Sequence, residues 1–183
     1  MARVQVALLR GINVGTAKRV AMADLRKLLE GLGYRNVRTL LNSGNVIFTP
    51  PKGQRGDRAA AIEKAIEKTL GVTTRVMVLT GEEVATAVRE NPLAKVASNP
   101  SRLLVMAIRD SQAHNRLKPL LKERWAPEAL ALGQRVAYLW CANGIAESPL
   151  STAVGRVLGD AGTARNMATM MKVLALVDAA GPT

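Results

Sequence analysis

Arg10-Gly11-Ile12-Asn13-Val14-Gly15, followed at once by Lys18-Arg19, closes an apolar stretch in a loop that combines three cations, two glycines and an asparagine. Glycine permits left-handed backbone and leaves amide N–H groups uncovered, while guanidinium and ammonium groups neutralise negative charge. Such a loop is suited to holding an anion, and by itself it names neither the anion nor a reaction. Two further polar clusters stand beside it: Asn42-Ser43-Gly44-Asn45, and Thr163-Ala164-Arg165-Asn166 after Gly162. All three have an ordinary alternative, because Asn, Ser and Gly are the usual residues of turns and an arginine pairs readily with a carboxylate. The glycine spacing is neither G-x-G-x-x-G nor a phosphate loop ending in Gly-Lys-Ser/Thr, since Lys18 follows Ala17 and precedes Arg19. No nucleotide is named by it, and no cofactor is expected.

Catalytic residue types are scarce. The single histidine, His114, falls in a predicted helix with no cysteine or carboxylate close in sequence, and reads as a solvated residue rather than a general base. Cys141 is the single cysteine, so neither a zinc-type ligand set nor an intrachain disulfide is available; on an apolar strand it reads as a packing residue. Glu63 and Glu67 interleave with Lys64 and Lys68, the pattern of a solvated helix face laced with ion pairs. No metal site is expected.

The chain has 183 residues, 48% of them hydrophobic and 22% charged, enough to bury a core in one large domain or two small ones. Its net charge of +12 is unevenly placed: residues 1–60 hold 11 Lys/Arg against 3 Asp/Glu, and residues 121–183 hold 6 against 5. A positive field attracts phosphates, acidic metabolites and nucleic acid alike. Aromatic residues make up only 3% of the chain, a thin supply for base stacking. Apolar runs such as Leu103 to Ile108 fall far short of a membrane span, and Arg10 and Asn13 interrupt what would be the apolar region of a secretory signal. A cytoplasmic protein without a membrane partner is expected, with its oligomeric state left open.

Periodicity supplies the elements that would position these residues. A strand is predicted over Val4–Ile12, then a helix on which Leu25, Leu28, Leu29 and Leu32 form one stripe, with Gly31 and Gly33 as its stop. Short strands at Val37–Leu41 and Val46–Thr49 flank the Asn42–Asn45 turn. A helix over Asp57–Leu70 and a strand over Thr74–Leu79 complete a β-α-β-β-α-β order, the split βαβ of ferredoxin-like folds. The class is therefore α+β: a ferredoxin-like part over 1–90, a connection over 91–101, and a smaller α+β part over 102–183. The last is read as a strand at Leu103–Arg109, a helix at Ser111–Arg124, strands at Ala129–Leu132 and Arg135–Cys141, a helix at Ser151–Leu158 and a final helix at Thr163–Asp178. On that final helix Thr163 would be the N-cap, and Met167, Met170, Met171, Leu174 and Val177 would form a core stripe.

In a sheet of order 4-1-3-2 the end of the first strand lies beside the hairpin of strands two and three. Arg10, Gly11, Asn13, Gly15, Lys18 and Arg19 should then face Asn42, Ser43 and Asn45, next to the positive end of the first helix.

The run ALLRGINVGTAKRVAMADLRKLLEGLGYRNVRTLLNSGNVIF resembles the opening of the bacterial family catalogued as domain of unknown function 1697, and TARNMATMMKVLAL is similar to its closing helix. The resemblance implies an α+β protein with a ferredoxin-like N-terminal part and brings no activity with it. It matches Arg10, Gly11, Asn13, Gly15, Ser43, Gly44, Asn45, Arg165 and Asn166 to the family's recurring motifs. Thr16 stands where relatives usually carry a second glycine, and Met167 where they carry a tryptophan. The sequence thus points to binding of an anionic, phosphate- or carboxylate-bearing small molecule at the first loop and hairpin, with Arg165 and Asn166 as candidate additions. The alternatives are a nucleic-acid-binding module using the basic first third and a protein-interaction domain without chemistry.

Overall fold

The computed structural model describes residues 4–181. They divide into two units, one formed by the described residues up to Glu82 together with those from Val173 onward, the other by Glu83–Lys172. The expected connection, 91–101, therefore lies inside the second unit, and both α3 (Gly81–Arg89) and α6 (Met167–Ala179) run from one unit into the other. The architecture is α+β, with two four-stranded antiparallel sheets and six α-helices among the described residues. No helix among them is long and apolar enough to cross a membrane.

The first unit runs β1 (Gln5–Leu9), α1 (Met22–Gly31), β2 (Arg35–Leu40), β3 (Asn45–Thr49), α2 (Arg58–Leu70), β4 (Val76–Thr80), with sheet order β2-β3-β1-β4. β1 is central, antiparallel to β3 with Leu8 opposite Asn45 and to β4 with Leu9 opposite Val76. Both of its faces are buried, which explains its near-continuous apolar sequence. Ala7 and Leu9 pack with Val46, Phe48, Leu25, Leu29, Ile62 and Ile66, placing α1 and α2 on one face. Each large side chain fully buried there contributes about 1.5–3 kcal/mol. Asp57 caps α2 by accepting from the Ala60 N–H at 3.0 Å, and Gly71 ends it at φ 66°. β1 stops earlier than periodicity predicts, at Leu9, because the chain turns away at Arg10.

The second unit repeats this topology. It runs β5 (Leu103–Ile108), α4 (Ser111–Arg116), β6 (Ala129–Leu132), β7 (Val136–Trp140), α5 (Pro149–Leu158), β8 (Gly162–Asn166), with order β6-β7-β5-β8. Main-chain bonds repeat too: Leu9 N–H to Gly44 O and Arg10 N–H to Arg75 O recur as Ile108 N–H to Arg135 O and Arg109 N–H to Ala161 O. This equivalence makes Arg109 the counterpart of Arg10, a relation invisible in the sequence because few side chains agree.

Four expectations for the elements of the second half are corrected. Thr163-Ala164-Arg165-Asn166 does not open the last helix; it is β8, paired along β5 with Arg165 opposite Val105, and α6 begins at Met167 with the Asn166 carboxamide accepting from the Thr169 N–H at 2.9 Å. The apolar strand β5, already paired with β7 on one side, gains more from a paired neighbour on its other edge than the chain gains from Thr163 as a cap. Met171 leaves the expected stripe, being 52% exposed, while Met167, Met170, Val173 and Leu174 are buried. The helix expected over Ser111–Arg124 stops at Arg116 and continues as a 3-10 turn over Lys118–Lys122, since Pro119 has no N–H for an α-helical bond. α5 instead starts two residues early: Ser148 caps it, Pro149 takes the first position, and the buried Glu128 carboxylate accepts from the Leu150 N–H at 3.0 Å.

Candidate anion site

The first loop and the hairpin meet. Asn13, at φ 54°, donates from Nδ2 to the Val20 carbonyl at 2.8 Å and to the Asn42 carbonyl at 2.7 Å, while its Oδ1 accepts from the Val20 N–H at 2.8 Å. One carboxamide thus closes the loop on itself and bolts it to the hairpin. The Asn13 main-chain N–H bonds to the Lys18 carbonyl at 3.0 Å, so the turn is closed from both sides. The start of the loop is equally fixed: Arg10 donates its N–H to Arg75 O at 2.8 Å, and its carbonyl accepts from the Thr74 hydroxyl at 2.7 Å. Nothing in the sequence marked Thr74 or Val20 for these roles, since both read as ordinary positions flanking a strand or helix.

Asn45 is fully buried and its amide is used inside the hairpin, donating to Leu40 O at 2.7 Å and to the Ser43 hydroxyl at 3.0 Å. Gly44 is required by close approach: at φ 81°, an added Cβ would lie 2.8 Å from both Leu9 Cβ and Ile12 Cδ1. Gly11 and Gly15, at φ 62° and 61°, have nothing within 4 Å of an added Cβ and face open space. Lys18 adopts φ 51° and Leu41 φ 58°, so left-handed residues line both segments. Lys18, Arg19, Asn42 and Ser43 are exposed and Arg10 is half-buried. Val14, 71% exposed, and Leu41, 50% exposed, flank the Asn13 and Asn42 contact. α1 follows the loop with Ala21 at its N-cap and no side-chain cap.

Arg165 and Asn166 lie in the second unit. Arg165 is buried on β8, its Nη1 donating to the Ala164 carbonyl at 2.8 Å and to the Thr163 hydroxyl at 3.2 Å, and burial lowers its pKa to about 10. Asn166 serves as the start of α6. His114 is half-buried rather than solvated, with Nε2 2.7 Å from the Gly133 carbonyl oxygen. Cys141 is fully buried, and desolvation pushes its thiol pKa up, which suits packing and not nucleophilic attack.

The conserved bacterial protein SP0830 from Streptococcus pneumoniae has a solved structure similar to this one, with a TM-score of 0.74 at 22% identity over 96% of this chain and 98% of that chain. At that identity the likeness establishes the fold alone. No curated protein matches the chain. The family described as "Protein of unknown function (DUF1697)" matches residues 1–138, which contain the loop, the hairpin and the whole first sheet, and the chain belongs to that family.

Proposed function

We propose that the protein binds a small anionic ligand, bearing phosphate or carboxylate, in the mouth between Gly11–Arg19 and Asn42–Gly44. The observation that carries this reading is the Asn13 bridge to Asn42, which holds a loop bearing Lys18 and Arg19 against the hairpin tip. In this reading Arg10, Lys18 and Arg19 neutralise charge, Gly11 and Gly15 offer main-chain amides, and Asn42 and Ser43 donate from the hairpin. Asn13 and Asn45 position the two walls and do not touch the ligand. The site stands on the first unit alone. We read that unit as a ferredoxin-like split βαβ and the protein as cytoplasmic; the element order and the sheet order support the first point.

The test is an amide-resolved NMR titration with inorganic phosphate and pyrophosphate, using chloride at matched ionic strength as the control. Saturable shifts at Gly11, Gly15 and Asn42, weakened about tenfold by Lys18→Ala with Arg19→Ala, are expected. Shifts no larger than those with chloride would end the proposal.

Nucleic acid is the second reading, favoured by the excess of 11 Lys/Arg over 3 Asp/Glu in residues 1–60. Against a stacking mode, Tyr34 and Phe48 are buried and stack on each other with ring centroids 4.6 Å apart. Binding to unrelated oligonucleotides that falls steeply with salt would select this reading over the first.

A further inference from the structure

A cleft of about 300 Å³ opens within the second unit between α3 and the hairpin of β6 and β7. One wall carries Glu83, Thr86 and Glu90, at i, i+3 and i+7 on a single helical face. The helical course reaches Glu90 because its N–H bonds to Thr86 O at 2.9 Å. The opposite wall is formed by Leu132, Arg135 and Tyr138, among others.

Two cross-links hold the walls at a fixed separation: Arg135 Nη1 lies 3.1 Å from Glu83 Oε1, and the Tyr138 hydroxyl donates to the Ala87 carbonyl at 2.9 Å. Gly133 seats the hairpin on the Tyr138 ring, since a Cβ there would lie 3.1 Å from Cε2. The cleft is thus a built concavity, and its charge opposes that of the molecule. A chain of net charge +12 lines it with two carboxylates and one guanidinium. Arg135 is paired with Glu83, so Glu90 sets the sign; the Tyr138 phenol is held above its ordinary pKa first by burial and then by the Glu90 carboxylate.

We propose that this cleft binds a small organic cation, a short alkylamine whose ammonium group sits against Glu90 and whose methylenes lie along Leu132 and Pro92. A carboxylate for the ammonium and aliphatic side chains for the stem are the groups that recognise an alkylammonium. The volume lies at the small end for ligand pockets, which fits a short chain. This site is independent of the first loop and takes the opposite charge.

The experiment titrates the full chain with n-butylamine and 1,4-diaminobutane, with butyrate as the counterpart of opposite charge, following the Thr86, Gly133 and Gln134 amides by NMR. Saturable shifts with both amines and none with butyrate are expected. Glu90→Gln, at an exposed position, should weaken binding about tenfold or more while keeping the amide spectrum of the folded chain, and Glu147→Gln should leave binding unchanged. Butyrate binding as well as butylamine, no saturation by about 100 mM amine, or an unaltered affinity in Glu90→Gln would overturn the proposal.

Discussion

The Asn13 carboxamide joins two segments 29 residues apart, its Nδ2 standing 2.7 Å from the Asn42 carbonyl oxygen. The same side chain makes both a donor and an acceptor bond to Val20, at 2.8 Å each. A serine or aspartate could not do this, because only a carboxamide offers donors and an acceptor in one rigid plane. This one side chain therefore supplies three of the bonds that hold the loop, and its loss should be felt in several places at once.

Asn13→Ala removes three hydrogen bonds and places a Cβ-bearing residue without a local polar partner at φ 54°. A loss of about 2–3 kcal/mol in urea unfolding is expected, together with faster exchange of the Val20 amide. Asn13→Gly keeps the backbone comfortable and should still lose about 2 kcal/mol, which isolates the hydrogen-bond contribution. Stability and exchange unchanged in both variants would mean that the bridge does not hold the loop in solution.

Gly44→Ala and Gly15→Ala separate close approach from backbone conformation. Both glycines have positive φ, but only at Gly44 does an added Cβ meet Leu9 Cβ and Ile12 Cδ1, each at 2.8 Å. Gly15→Ala should cost about 1 kcal/mol, and Gly44→Ala about 2–4 kcal/mol because overpacking is added. Equal midpoints for the two variants in thermal unfolding would contradict this.

The chain contains two tyrosines, Tyr34 and Tyr138, and burial raises the pKa of each above 10.0, with Glu90 adding to the effect at Tyr138 and Arg58 opposing it at Tyr34. Above pH 10 the unfolded chain loses these protons first, so the folded state binds more of them and stability falls as pH rises through that range. Arg165, whose pKa is lowered to about 10, acts in the opposite direction over the same range. Absorbance at the tyrosinate band reads the phenols directly. In the folded protein it should rise later than in urea, and coincident curves would refute the burial of both rings.

Cys141 is fully buried and its thiol is held above its ordinary pKa by desolvation. A thiol-specific reagent at neutral pH should label the folded protein only at the rate of unfolding, and label it at once in denaturant. Fast native labelling would place Cys141 at the surface.

Much of the first unit was readable from the residues because its signals are local. The Leu25, Leu28, Leu29 and Leu32 stripe, the Gly31 and Gly33 stop and the Asn42–Gly44 turn each act within a few residues. From that order the sheet 4-1-3-2 and the meeting of loop with hairpin followed, and the Asn13 contact with Asn42 is that meeting. What Asn13 and Asn45 do with their amides was not readable. Both looked like ligand-facing polar groups, and both make their bonds to main-chain or neighbouring atoms that only the folded register brings within 3 Å.

The second unit resisted for a related reason. Thr163, Ala164, Arg165 and Asn166 have no strong preference of their own, and methionines at helical spacing follow immediately, so local pattern extends the helix backward over them. The open edge of β5 decides otherwise, because a strand paired through five residues satisfies main-chain groups that a longer helix would leave exposed. The cleft beside Tyr138 belongs to the same category: Glu83 and Glu90 share a helix face in the sequence, but what faces them, 42 or more positions later, is set by the turn at Gly133–Arg135. Sequence alone therefore determined the class, the first sheet's order and the cationic loop, through periodicity and turn chemistry that act over short range. Tertiary structure alone decided which polar groups are spent on the fold and which stay exposed, because hydrogen-bond saturation depends on partners that are remote along the chain.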